Sequence, residues 1–390
     1  MILETAIGGG KVMQGFDPES LPTGGPFTTW ECEPPVRSDS ESKPCITLPP
    51  RTAVSRMIRL SICMPTYNFG KFIGETLDSI LPQLSEEVEL VIVDGASTDN
   101  TPEVVARYQS PYIRYHRLPA KGGIDQDMNL SVQLASGEYC WLFSSDDVMN
   151  RDAIALVLKQ IRLGIDAYLL GFDISTLNIQ EHLWKHPLFS VKKNIVFDLS
   201  NKSERLSYFQ KAVTTTAFFS FMSSIVIKRS RWIEVPYEET FIGGCWAHAA
   251  RILRLIPNGL TVKSLHDSYF RQRSFNDSFS DKGFIHRLGI AIDGYQKIAD
   301  LLFGHKSQEA KHIRRTLKNE IGIKTLLIAK SLASSPKEID RLYELTKKHY
   351  CDHRFKSQNV MLLLKSLPPR LLSSAIRIYR KVRRRRLSYG

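Results

Sequence analysis

The chain has 390 residues, a formal net charge of +13, 43% hydrophobic and 24% charged residues, a balance that supports a folded core and excludes a wholly disordered protein. Its length exceeds what one hydrophobic core usually organises, so one catalytic domain with additions at its ends is expected. The basic balance calls for an anionic partner, with nucleic acid, anionic lipid and phosphorylated substrates as the three candidates, whereas six scattered cysteines without a C-x-x-C argue against zinc and suit reduced thiols.

Residues 1–56 are rich in Gly, Pro, Ser, Thr and acids and carry no periodicity, which predicts a disordered N-terminal extension ahead of Met57. From Leu60 short β-branched runs alternate with amphipathic stretches, the pattern of β-α units building a mostly parallel sheet. Strands are expected at 60–64, 88–93, 113–118, 139–143 and 167–172, with helices between them. The first helix shows one apolar face through Phe72, Ile73, Thr76, Leu77, Ile80, Leu81 and Leu84. Thr101 is the expected cap of the second, with Pro102 at its first position. Between 174 and 231 the pattern is hard to read, apart from a strand expected at 219–227. A helix near 245–256 and a strand near 264–270 follow, and beyond Gly283 the chain reads as helical, with Ser335, Pro336 and Glu338 marking one start as a capping box. No run of about 18 uncharged apolar residues exists and no signal-peptide pattern opens the chain, so a cytoplasmic protein with at most peripheral membrane contact is expected.

Ligands of open α/β sheets bind beyond the carboxyl ends of the strands, and polar residues gather at those ends here. The first strand runs into Pro65-Thr66-Tyr67-Asn68. The second runs into Asp94-Gly95-Ala96-Ser97-Thr98-Asp99, where small residues let backbone approach a ligand and carboxylates accept bonds from a base or ribose. The fourth ends in Asp146-Asp147, a concentrated negative charge that a hard divalent ion bridging to a diphosphate would neutralise.

LSICMPTYNFGKFIGETLDSI from Leu60, then VELVIVDGASTDNTPEVV, then GGIDQDMNLSVQLASGEYCWLFSSDD resemble, in order and spacing, the donor half of a family 2 glycosyltransferase with the GT-A fold, closest to bacterial abequosyltransferase-like members. The resemblance implies an α/β GT-A domain over 57–282, an α-helical region over 283–365, and a metal-dependent, inverting transfer from a nucleoside-diphosphate sugar, with Mg or Mn as cofactor. It implies that Pro65, Tyr67 and Asn68 border the nucleoside, that Asp94 meets the pyrimidine edge of uracil or cytosine with Asp99 supporting its loop, and that Gly123 and Asn129 hold the diphosphate-side helix. Ser145, Asp146 and Asp147 occupy the D-x-D-like position, with Ser145 replacing the usual first carboxylate and Asp147 expected on the metal. The Glu-Asp pair that supplies the base in such enzymes is missing. His248 stands in its place, with Glu238, Glu239 and Asp267 as alternatives and Trp246 as core or acceptor wall. Arg271, Arg273, Asn276 and Ser278 resemble a donor-covering loop whose guanidinium groups neutralise the leaving diphosphate.

Residues 366–390 carry Arg370, Arg377, Arg380, Lys381 and the run 383–386 without an acid, and Leu371, Leu372, Ala375, Ile376 and Tyr379 fall at helical spacing. This is the composition of an interfacial helix on the inner face of a cell membrane, where a saccharide or polyprenyl-linked acceptor of O-antigen or other surface polysaccharide would be met. No nucleic acid is expected. The competing readings are a sugar nucleotidyltransferase, a nucleic-acid-binding protein using the basic tail, and a donor-binding module without catalysis.

Overall fold

β1 (Leu60–Thr66) is buried along its whole length, as a strand with a neighbour on each side and helices on both faces must be. The computed structural model describes residues 57–236, 239–274, 276 and 282–368; the extension expected over 1–56 and nearly all of the basic tail lie outside the described residues. α1 (Ile73–Ile80) buries Ile73, Thr76, Leu77 and Ile80, the face that its spacing predicts. β2 (Val88–Asp94), α2 (Thr101–Val105), β3 (Ile113–Arg117), α3 (Ile124–Leu134) and β4 (Tyr139–Leu142) complete the first half. All pairings within it are parallel, in the order β3-β2-β1-β4.

The second half comprises β5 (Val148–Met149), α4 (Ala153–Ile161), β6 (Ala167–Ser175), β7 (His182–Lys185), β8 (Ile195–Asp198), α5 (Lys202–Lys211), β9 (Ile225–Lys228), α6 (Arg229–Glu234), α7 (Ala247–Leu253) and β10 (Thr261–Arg273). Here the sheet is mixed rather than mostly parallel. β9 lies antiparallel between β4 and β6, and β6 then pairs parallel with β10. With β9 reversed, β1, β2, β3, β4, β6 and β10 all point the same way, so their carboxyl ends share one edge.

Two local expectations shift. The strand expected at 219–227 shrinks to β9, because 3-10 turns at Thr215–Phe218 and Met222–Ser224, with Phe219 at φ 62°, interrupt it. Aromatic residues in and just ahead of that segment pack as core instead. Phe218 stacks on Phe209 at 5.2 Å between ring centres, and Phe221 lies 4.9 Å from Phe172. At α2 the Thr101 side chain is no cap; the Asp99 carboxylate accepts from the Thr101 N–H at 3.0 Å instead.

α8 (Phe284–Phe303), α9 (Gln308–Glu320), α10 (Ile323–Leu332), α11 (Pro336–His349) and α12 (Arg354–Ser366) complete the described chain. Ser335 caps α11 by accepting from the Glu338 N–H at 3.3 Å, while Glu338 reaches one residue further back than a capping box requires, to the Ser334 N–H at 2.6 Å. α8 docks on the residues ahead of α7: Trp246 Nε1 donates to the Ile290 carbonyl at 2.7 Å, and Gly294 lies flat against the indole ring. A methyl group at Gly294 would fall inside that ring. Gly294→Ala would gain about 1 kcal/mol of helix propensity and lose about 1–3 kcal/mol to overpacking. We expect a net fall in the urea midpoint, whereas an unchanged or raised midpoint would show that α8 can slide off Trp246 without cost.

Candidate active site

The carboxyl ends of β2, β1 and β4 lie side by side along one edge, with one group of acids on the β2 side and another following β4. On the β2 side, Asp94 is fully buried. Its Oδ1 accepts from the Ser97 N–H at 2.7 Å and its Oδ2 from the Tyr115 hydroxyl at 2.5 Å, while the Gly95 N–H donates to the Thr66 carbonyl at 2.9 Å, joining the ends of β2 and β1. Asn68, at φ 59°, clamps the two loops together: its N–H donates to Ser97 Oγ at 2.9 Å and its Oδ1 accepts from the Thr98 N–H at 2.7 Å. Asp99 supports the same loop by accepting from the Gly70 N–H at 2.9 Å and from the Thr101 hydroxyl and N–H. Burial would raise the Asp99 pKa, but these donors together hold it below the ordinary carboxylate range.

Pro65 is buried within β1, and Tyr67 beyond it is covered by Lys121, whose Nζ lies 3.7 Å from the ring centre. Gly123 sits at φ 107° as the residue before α3, a conformation that only glycine adopts without strain. Two residues that the sequence reading passed over follow it. Asp125 accepts from the N–H groups of Gly243, Cys245 and Ala247 at 2.9, 3.1 and 3.3 Å. Asp127 turns the other way and packs against Gly95 and Gly122. Its pKa is pushed up to about 6 by burial and by the Asp94 charge, against the Gly123 backbone and Lys121. Asn129 belongs to a separate group, accepting from Trp232 Nε1 at 3.3 Å and from Arg251.

On the β4 side, Asp146 and Asp147 are both buried. Asp147 Oδ2 accepts from Ser223 Oγ at 2.6 Å; Asp146 accepts from Ser144 Oγ and, at 2.6 Å, from Asn276 Nδ2. Ser145 is buried and offers its carbonyl to Thr76 Oγ1 at 3.1 Å. Burial, then the neighbouring Asp146 charge, drives the Asp147 pKa well above the ordinary value, and burial raises that of Asp146 against Ser144, Asn276 and Arg273. Arg273 supplies the nearby positive charge: Nε donates to the Asp146 carbonyl at 2.6 Å, Nη1 to the Leu177 carbonyl at 2.7 Å, and Nη2 pairs with Glu75 at 2.6 Å. Arg271 instead donates to the Ile179 carbonyl at 3.1 Å. No cluster of three His, Cys, Asp or Glu side chains occurs among the described residues. The buried pair nonetheless suits a magnesium-like ion, which takes one or two carboxylates and completes its shell with phosphate oxygens and water.

His248 lies in the first turn of α7, immediately after the segment that Asp125 holds, and burial pushes its pKa down to about 4 against the Phe219 backbone. Glu239 is exposed in a 3-10 turn at Glu239–Phe241, and Asp267 is exposed at the irregularity of β10 between Leu265 and Phe270, back from the strand's end. Glu238 and Ser278 lie outside the described residues.

Residues 61–229 match the profile of Glycosyl transferase family 2. An abequosyltransferase of Salmonella typhimurium is 29% identical over 247 residues, 62% of this chain and 74% of that one. The poly(ribitol-phosphate) beta-N-acetylglucosaminyltransferase TarS of Staphylococcus aureus is 33% identical over 102 residues, 25% of this chain and 18% of that one. The solved TarS 1–349 superimposes with a TM-score of 0.53 at 17% identity, over 85% of this chain and 92% of that one, which shows that the two share the fold.

The acidic pair has a measurable cost. A carboxylate whose pKa is raised by folding destabilises the protein above its folded pKa and ceases to do so below its unfolded pKa near 4. Asp147→Asn should therefore raise the Tm of metal-free protein at pH 8 by a few degrees, with the gain shrinking as pH falls toward 4. A gain that is constant with pH would show that the charge of Asp147 is not responsible.

Proposed function

The chain carries a family 2 glycosyltransferase domain of the GT-A fold, and from that premise we propose that it transfers a sugar, with inversion, from a nucleoside-diphosphate sugar to a saccharide or polyprenyl-linked acceptor in surface-polysaccharide synthesis of the O-antigen type. The observation that carries the reading is the shared edge of β2, β1 and β4, where a group at the nucleoside end (Tyr67 and Asp127, with Asp94 bracing their loop) stands beside a buried acidic pair backed by Arg273. We assign the catalytic domain to 57–282 and a helical region to 283–365.

In this reading Pro65, Tyr67 and the Asn68 clamp shape the nucleoside end, and Gly123 starts α3 beside it. Asp146 and Asp147 would hold Mg or Mn, which when bound would offset the charge of the diphosphate. Arg273 is pinned by three bonds, so its guanidinium needs no reorganisation to oppose charge developing on the leaving group. Arg271 flanks it on the same strand. His248 is neutral above about pH 4 and is the proposed acceptor of the proton from the attacking hydroxyl.

The basic tail is assigned to the membrane surface. α12 leads into it with Phe355 and Leu362 exposed at 83% and 70%, apolar groups that an interfacial helix would place at the headgroup boundary. No described helix is long and apolar enough to cross a membrane.

Thermal shift against UDP, CDP, GDP and dTDP, with and without Mn, tests the donor site: one nucleotide should raise the Tm in a concentration-dependent way. Donor hydrolysis should follow the same nucleotide and vanish in Asp147→Ala. His248→Gln should lower kcat at least 100-fold, on the order of a lost general base, with KM for the donor little changed. Full activity in either variant would refute the role given to that residue.

A further inference from the structure

Two polar atoms at the nucleoside end are buried and have no hydrogen-bond partner among the described residues: Asp127 Oδ1 and Thr66 Oγ1. Their side chains belong to residues only 3% exposed, so neither is satisfied by bulk water, and an orphan of this kind destabilises the fold until a partner bonds it. Both border Gly95. A Cβ on that glycine would stand 2.5 Å from Asp127 Oδ2 and 3.7 Å from the Thr66 carbonyl, while one on Gly122 would stand 3.0 Å from Asp127 Oδ1. The carboxylate is thus held between two backbones that approach only because they lack side chains. Asp94, by contrast, has both oxygens engaged and no exposed surface.

What closes the space is slight. Lys121 and Gly122 are exposed and belong to no helix or strand, and Lys121 extends over the face of Tyr67. A flat ring entering against Tyr67 would displace the lysine, and beyond Gly122 it would approach the Asp127 carboxylate.

We propose that Asp127 and Thr66, rather than Asp94, read the edge of the donor's pyrimidine base, the Asp127 carboxylate accepting its N–H and the Thr66 hydroxyl donating to the adjoining ring acceptor. Asp94 then acts as a positioning residue that ties the β2 loop to Tyr115 and adds negative charge behind Asp127. The inference rests on the donor-site reading above and adds to it the residues that select the base.

Calorimetry of UDP, CDP, GDP and dTDP against the full chain, Asp127→Asn and Thr66→Val tests it. The wild type should bind a pyrimidine nucleotide. Asp127→Asn should weaken that binding roughly 10- to 100-fold and Thr66→Val by a smaller factor, as loss of a charged and a neutral hydrogen bond would. A nucleotide methylated at the N–H in question, 3-methyl-UDP for UDP or N4,N4-dimethyl-CDP for CDP, should lose as much against the wild type and little further against Asp127→Asn, since both changes remove one bond. Without nucleotide, Asp127→Asn should melt no lower than the wild type at pH 8, because it removes a carboxylate that burial disfavours, and this keeps a folding defect apart from a binding one.

Wild-type binding of UDP or CDP with unchanged affinity in Asp127→Asn would overturn the inference and leave the donor site standing. So would equal losses for the methylated nucleotide in both proteins. Preference for GDP would overturn the pyrimidine assignment, and no binding by any of the four would remove the donor-site reading along with it.

Discussion

Four carboxylates, those of Asp94, Asp127, Asp146 and Asp147, are buried along the edge where the parallel strands end, and the rest of the site is arranged around the cost of keeping them there. In a low-dielectric setting like charges repel strongly and desolvation disfavours ionisation. The protein supplies hydroxyls from Ser144, Ser223 and Tyr115, N–H groups from Ser97, and cations from Lys121 and Arg273. Arg273 is itself shared with Glu75, and Arg117 donates to the Ser97 carbonyl at 2.8 Å on the Asp94 side. Acids gathered in this way cost stability, and any cation or N–H donor that bound the folded state alone would offset that cost.

Much of this was legible because the sheet writes its pattern plainly. Strands buried on both faces appear as short apolar runs, and the residues at which the runs stop are by construction at the sheet's edge. That logic located Asp94, Asp146 and Asp147 before any coordinates, and the helix starts at Ile124 and Pro336 came from the same kind of punctuation. The second half resisted because its aromatic residues carry two messages: 219–224 has the composition of a strand, yet Phe221 packs on Phe172 while the backbone there turns. β9 could not be oriented from pattern alone, since direction leaves no mark on a strand of four residues.

The residues missed are those whose importance lies in who faces them. Ser223 reaches Asp147 across 76 positions, and Glu75 reaches Arg273 across 198; no local spacing announces either. Asp125 and Asp127 stood inside a quoted motif but read as ordinary acids in the first turn of a helix, where the macrodipole favours negative charge. Only the packing shows that the first serves the segment before α7 and the second faces Gly95.

Those two acids stand two positions apart on one turn, and residues so spaced point in different directions. One grips the peptide leading to His248; the other packs between Gly95 and Gly122. A single turn of helix is thus moored on two flanks, so the strand-end loop of β2 and the peptide ahead of α7 share one anchor.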